Sequence, residues 1–219
     1  FKKMTVAAMA AFLMVGVSCS DEFLEIAPTG SLADAQVSTK AGIEGLLIGT
    51  YAAVNGANGN RFNGPNHWVT GSIVGGEANK GTDAGDYSSI NPVQRYEIDP
   101  TSGDINALWN GRYEGVSRAN KVLAAVASSE EILPGDAARI SGEARMLRGH
   151  FLFDLKKHFN QIPVIDETVE ATEIPLVANN GDAWAQIEAD FQFAYDNLPG
   201  ENGAGRVNKW AAAAYMGKA

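Results

Sequence analysis

DAARISGEARMLRGHFLFDLKKHF, residues 136–159, is the stretch whose pattern decides the architecture. Ile140, Ala144, Leu147, Phe151, Leu155 and Phe159 recur at steps of three and four. An α-helix turns once in 3.6 residues, so these side chains share one face and predict a long amphipathic helix. Asn160 and Pro163 lie beyond its end, and Pro134-Gly135 reads as a break ahead of it. Toward the N-terminus, Leu108, Trp109, Val116, Ala119, Asn120, Leu123 and Val126 repeat the pattern from about Asp104. Further back, Ile43, Leu46, Leu47, Thr50, Tyr51 and Val54 do so behind Ser38 or Thr39, either of which suits an N-cap.

Toward the C-terminus, residues 163–180 read as an extended connection. Asp182 then offers an N-cap to a helix carrying Trp184, Ile187, Phe191, Ala194 and Leu198, stopped by Pro199-Gly200. A fifth helix begins near Asn208 with Trp210 and an alanine run, and no stop signal precedes Ala219. Trp109, Trp184 and Trp210 are in phase with these apolar faces and are assigned to the core. Successive helices joined by short breaks predict a mainly all-α chain, a helical-repeat stack in which each pair buries the face its neighbour leaves open. The stack reads as truncated at its C-terminal end, with apolar surface left uncovered.

Residues 55–103 stand apart, because Gly, Asn, Asp, Ser and Pro dominate and no period fixes an element. Long irregular segments in compact domains are commonly functional. This one carries Trp68, Tyr87 and Tyr96 beside Asn79, Lys80, Asp83 and Arg95. Aromatic planes stack on the C–H faces of sugar rings while amide, carboxylate and guanidinium groups hydrogen-bond hydroxyls, so the mixture suits glycan capture. Core packing of Trp68 is the competing reading. Glu77, Asp83, Asp86 and Glu97 show no signature of a catalytic pair and read as solvated loop acids.

The N-terminal segment is an export signal. Lys2 and Lys3 precede an uncharged run from Val6 to Val17, and Gly16 and Ser18 stand just before Cys19, the single cysteine among 219 residues. The run is short for a hydrocarbon core about 30 Å thick. Residues 1–18 are therefore read as a lipoprotein signal peptide, Cys19 as the lipidation site, 19–37 as a tether and 38–219 as the helical-repeat domain, incomplete in this sequence. Acyl chains on Cys19 would hold the chain at the membrane. No internal disulfide is open to one cysteine. The formal charge of -9 carries no compensating basic stripe and excludes nucleic acid as a partner.

Within the decisive helix, His150, Asp154 and His158 stand at four-residue steps, a spacing that brings metal ligands to one face. Each step drifts by about 40°, and Arg148, Lys156 and Lys157 add positive charge, so packing and hydrogen bonding is the preferred reading. Glu143, Arg145, Arg148 and Asp154 are assigned to ion pairs between helices, and Arg118 and Asn120 to ties between the second helix and its surroundings. No catalytic residue, metal or cofactor is assigned.

Six segments occur in order: Cys19-Ser20-Asp21-Glu22-Phe23-Leu24 with Pro28-Thr29-Gly30, Ala41 to Ala52, Leu108-Trp109 through Asn120, Gly142 to Arg148 with Phe153-Asp154-Leu155 and Ile162-Pro163, Trp184 to Pro199, and Gly205 to Lys209. This ordered set resembles the SusD/RagB family of surface lipoproteins of Bacteroidetes. The resemblance implies tetratricopeptide-like helix pairs, a surface-exposed position on the outer membrane and no catalysis. It also implies capture of oligosaccharide for a SusC-like TonB-dependent transporter. Peptide capture by the same fold, a surface glycoside hydrolase and a helical-repeat adaptor are the alternatives.

Overall fold

The computed structural model describes residues 37–56, 64, 67–81, 83 and 85–219. The signal segment, Cys19 and the tether up to residue 36 lie outside the described residues. Among the described residues the regular structure is helical: α1 (Lys40–Val54), a π-helical turn (Trp68–Ile73), α2 (Ile90–Gln94), α3 (Gly103–Ser128), α4 (Pro134–Phe159), a 3-10 turn (Ile174–Leu176), α5 (Trp184–Asn197) and α6 (Lys209–Met216). None of these helices is long and apolar enough to cross a membrane.

Thr39 caps α1, its hydroxyl accepting from the Gly42 N–H at 3.1 Å. Asn208 caps α6 through Trp210 and Ala211. Two expected boundaries move. Pro134 does not break the chain but opens α4 at its first turn, where its missing N–H would have had no helical acceptor anyway. Asp182 stands one residue before the cap position, which Ala183 holds, and its carboxylate accepts from the Trp184 N–H at 3.3 Å.

The decisive helix, α4, is central and lies between α3 and α5, with α1 against α3 and α4, and α6 against α5. Residue pairing gives the directions. Arg112 meets Asp154, Gly115 meets Phe151 and Asn120 meets Arg148, so α3 and α4 run antiparallel. Gly142 against Leu198 and Gly149 against Phe191 give α4 and α5 the same relation. Gly115 and Gly149 face the rings of Phe151 and Phe191 where a Cβ would stand 2.5 Å and 2.6 Å from ring carbons, so both crossings need a residue without a side chain. Ile43, Leu47, Val116, Ile140, Leu152, Ile187 and Ala212 complete the main core.

Ion pairs replace apolar contact at three buried places. Glu143, fully buried, accepts from Tyr51 Oη at 2.6 Å, Arg139 Nη1 at 2.8 Å and Arg206 Nη1 at 3.0 Å. Arg148 donates to both oxygens of Asp190 at 2.7 Å, to Asn120 Oδ1 at 2.9 Å and to Glu167. Arg112 holds Asp154. Each carboxylate is paired and hydrogen-bonded, the condition under which charge tolerates burial. Trp210 departs from expectation: it is 60 % exposed, because the buried stripe of this short helix runs through Ala212 instead.

Candidate functional site

The segment read as wholly irregular contains two short elements and its own small core. Val69, Ile73, Ile90 and Val93 are buried together with Leu108 of α3, and Trp68, Val74, Tyr87, Ile105 and Phe159 pack around them. Four aliphatic side chains with no periodic spacing in sequence, Val69, Ile73, Ile90 and Val93, thus fasten the segment to the start of α3 and the end of α4. Burial of each at about 1.5–3 kcal/mol outweighs much of the cost of ordering the chain.

Backbone strain concentrates in the same place. His67, Tyr87 and Tyr96 have φ of 46°, 43° and 60°, in the left-handed region that bulky residues rarely adopt. Such conformations persist only where surrounding contacts hold them, and they cluster at functional sites. Tyr87 Oη donates to Asp104 Oδ1 at 2.8 Å, and Tyr96 Oη donates to the Val74 carbonyl at 2.5 Å. Tyr96 nevertheless leaves 69 % of its surface exposed.

The other residues singled out from the sequence gather in this loop but differ in what they offer. Trp68 is half-buried at the head of the π turn, against the small core. Lys80 is held inward, its ammonium donating to the carbonyls of Asp83 at 2.9 Å and of Asp86. Asp83 Oδ1 accepts from the Gly85 and Asp86 N–H groups, and Asn79 Oδ1 from Gly81. Arg95 is exposed and donates to Glu97 at 2.7 Å. Tyr96, Arg95, Asn79 and Asp83 are therefore presented to solvent, whereas Trp68, Tyr87 and Lys80 brace the loop.

A cavity of about 530 Å³ opens between this loop and the helices, lined by Val74 and Ile98 on one side and Ile105, Leu108, His158 and Phe159 on the other. Beside it lies a group that sequence spacing did not assemble. His67 Nε2 comes within 3.8 Å of Asp154 Oδ1, and the His67 and His158 rings stack with centroids 6.2 Å apart. His150 turns away, its Nδ1 2.9 Å from Tyr215 Oη, and burial pushes its pKa down to about 4. Burial also works against the Asp154 carboxylate, but the hydrogen bond and charge of Arg112, with the two imidazoles, outweigh it and hold the group at about 2. His67 carried no sequence signal, since it is a lone histidine in the irregular stretch.

A second concave surface of about 840 Å³ runs along α3. Trp109 and Tyr113, tilted against each other at 4.8 Å, form its floor, and Asn120, Lys121, Asp166 and Glu170 its polar margin. Trp109 is only half-buried, seated edge-on against Phe159. Helical phase alone marked it as core.

Comparison with known proteins adds four results. A SusD-like family model, described as starch-binding associating with outer membrane, matches residues 22–219. A SusD-like protein of Bacteroides ovatus is 27% identical over 222 residues, covering 100% of this chain and 39% of that protein. Among solved structures, a laminarin-binding SusD-like protein superposes with a TM-score of 0.69 at 25% identity, over 82% of this chain and 39% of that one. A SusD superfamily protein of Bacteroides vulgatus gives 0.67 at 23% identity, over 81% and 38%. The chain thus spans about two fifths of the length of these relatives, and the helical fold described above is theirs over that part.

Proposed function

Since this chain belongs to the SusD-like family, we propose that it is a non-catalytic glycan-binding lipoprotein of the outer membrane, delivering oligosaccharide to a TonB-dependent transporter. The family match over residues 22–219 carries this reading. In it, residues 1–18 are removed, Cys19 bears the acyl chains, and the stretch to residue 37 spans the distance from the lipid to the helical stack. A mass spectrum of the mature protein showing an unmodified Cys19 would overturn the anchor.

Within the described residues, the exposed face of Tyr96 supplies a stacking platform for a sugar ring. Arg95, Asn79 and Asp83 stand in the same loop with groups able to reach hydroxyls, while Trp68, Tyr87 and Lys80 keep the loop in shape. Ring stacking needs a rigid, solvent-facing aromatic plane, and the Tyr96 Oη hydrogen bond to Val74 limits rotation of that plane. Isothermal titration of the full-length protein against an oligosaccharide panel tests the reading. Binding by at least one glycan, weakened in Tyr96→Ala, is the expected result. Silence toward every glycan together with binding of peptides would replace it with peptide capture.

A further inference from the structure

The group formed by His67, Asp154 and His158 is not used by glycan capture, and its chemistry points elsewhere. One ring nitrogen of each histidine and one Asp154 oxygen lie within 4.8 Å of one another. Asp154 is 1 % exposed, and while Arg112 Nε occupies its Oδ2 at 2.5 Å, Oδ1 accepts no hydrogen bond among the described residues. A buried carboxylate oxygen without a well-directed donor is costly; around Oδ1 stand the Lys157 ammonium at 3.2 Å, His67 Nε2 at 3.8 Å and the His158 ring, whose Nδ1 is 3.7 Å away. The His158 Nδ1 lies 2.7 Å from the Asp154 carbonyl oxygen, which can only accept, so Nδ1 carries the proton and Nε2 keeps the lone pair. A histidine whose second nitrogen donates to a backbone carbonyl is the usual arrangement of a metal ligand.

We propose that His67, Asp154 and His158 form a binding site for a divalent transition cation of the Zn²⁺ type. Two imidazoles and one carboxylate are a poor match for Ca²⁺ or Mg²⁺, which take oxygen ligands, and a good one for Zn²⁺. Ligand bonds of about 2.0–2.2 Å place tetrahedral ligand atoms roughly 3.4 Å apart, so the three groups, now within 4.8 Å of one another, close by up to about 1.4 Å. The histidine side chains are 30% and 21% exposed, which leaves them room to do so. Water from the adjoining cavity fills the fourth position. The cation clasps the strained residue that leads into the π turn onto α4, and so fixes the loop that carries Tyr96. Lys157 is its competitor: its Nζ stands 3.2 Å from Asp154 Oδ1 while the side chain is 46% exposed. It swings into solvent when the cation enters.

The test titrates the full-length protein, first dialysed against a chelator, with Zn²⁺ by calorimetry and with Co²⁺ by visible absorption. One equivalent of Zn²⁺ and the intense bands of tetrahedral Co²⁺ are expected. Loss of a supporting partner already weakens metal sites by about 10–100-fold, so His67→Ala and His158→Ala are each expected to weaken binding at least about a hundredfold. Lys157→Met, which removes the competitor, is expected to tighten it, and His150→Gln to leave it unchanged. Asp154→Asn also disturbs Arg112, so the loop variant His67→Ala is the decisive one. Absence of binding by the wild-type protein, or undiminished binding by both histidine variants, would overturn the site. So would a loss confined to His150→Gln.

Discussion

Arg112 of α3 donates through Nε to Asp154 Oδ2 of α4 at 2.5 Å, and each side chain is 2% exposed. The pair joins the two longest helices at the level where the loop core begins, so it links the stability of the stack to the shape of the candidate site. Replacing Arg112 by Met leaves a buried carboxylate without its cation, for which a loss of about 3–5 kcal/mol is expected. Replacing both partners by apolar residues restores most of that loss. Urea denaturation of the two single variants and the double variant measures the difference.

The glycine crossings give a second outcome. Gly149→Ala sets a methyl group against the Phe191 ring, and Gly115→Ala against Phe151, both rings being fully buried with no room to retreat. Overpacking of this kind costs about 1–3 kcal/mol. Gly45→Ala, on α1 with open space around it, is expected to be neutral or slightly stabilising. Thermal melts of the three variants separate the cases.

Acid sensitivity follows from two groups with opposite charge types. His150 has its pKa lowered to about 4 by burial, so between pH 6.5 and 4 the unfolded chain takes up a proton that the folded chain refuses. Stability therefore falls as the pH falls through that window, by on the order of 3 kcal/mol at its end. Asp154, held at about 2, stabilises the folded state above its ordinary value of 3.8, and that contribution disappears as the pH drops toward 2. Denaturation midpoints measured from pH 7 to pH 2 should decline in both ranges. His150→Gln should flatten the upper range and leave the lower one.

The two loop aromatics should separate support from contact. Trp68 packs on the small core, so Trp68→Ala is expected to cost about 2–3 kcal/mol of stability and to loosen the loop. Tyr96 is mostly exposed, so Tyr96→Ala is expected to change stability by less than about 1 kcal/mol. Glycan affinity should nevertheless fall with it. Equal effects of the two substitutions on melting temperature would contradict this division.

Helical phase is a local property, since which residues share a face depends only on their spacing. The sequence by itself therefore determined α1, α3, α4, α5 and α6 and the apolar stripes of the long ones. It also assigned Glu143, Arg145, Arg148 and Asp154 to ion pairs between helices. That holds for Arg145, Arg148 and Asp154, whereas Glu143 pairs with Arg139 of its own helix and with Arg206 of the loop after α5. Which partner each takes depends on the register of neighbouring helices, and so Asp190, Tyr51 and Arg112 emerged only from the packed structure. The loop was legible in composition but not in form: Val69, Ile73, Ile90 and Val93 follow no period and are ordered by what they meet, Leu108 among them. Spacing along one helix set His150 with Asp154 and His158, whereas tertiary structure set His67 there instead. A four-residue step drifts around the helix, while a chain returning from a distant loop can deliver its side chain directly above the carboxylate.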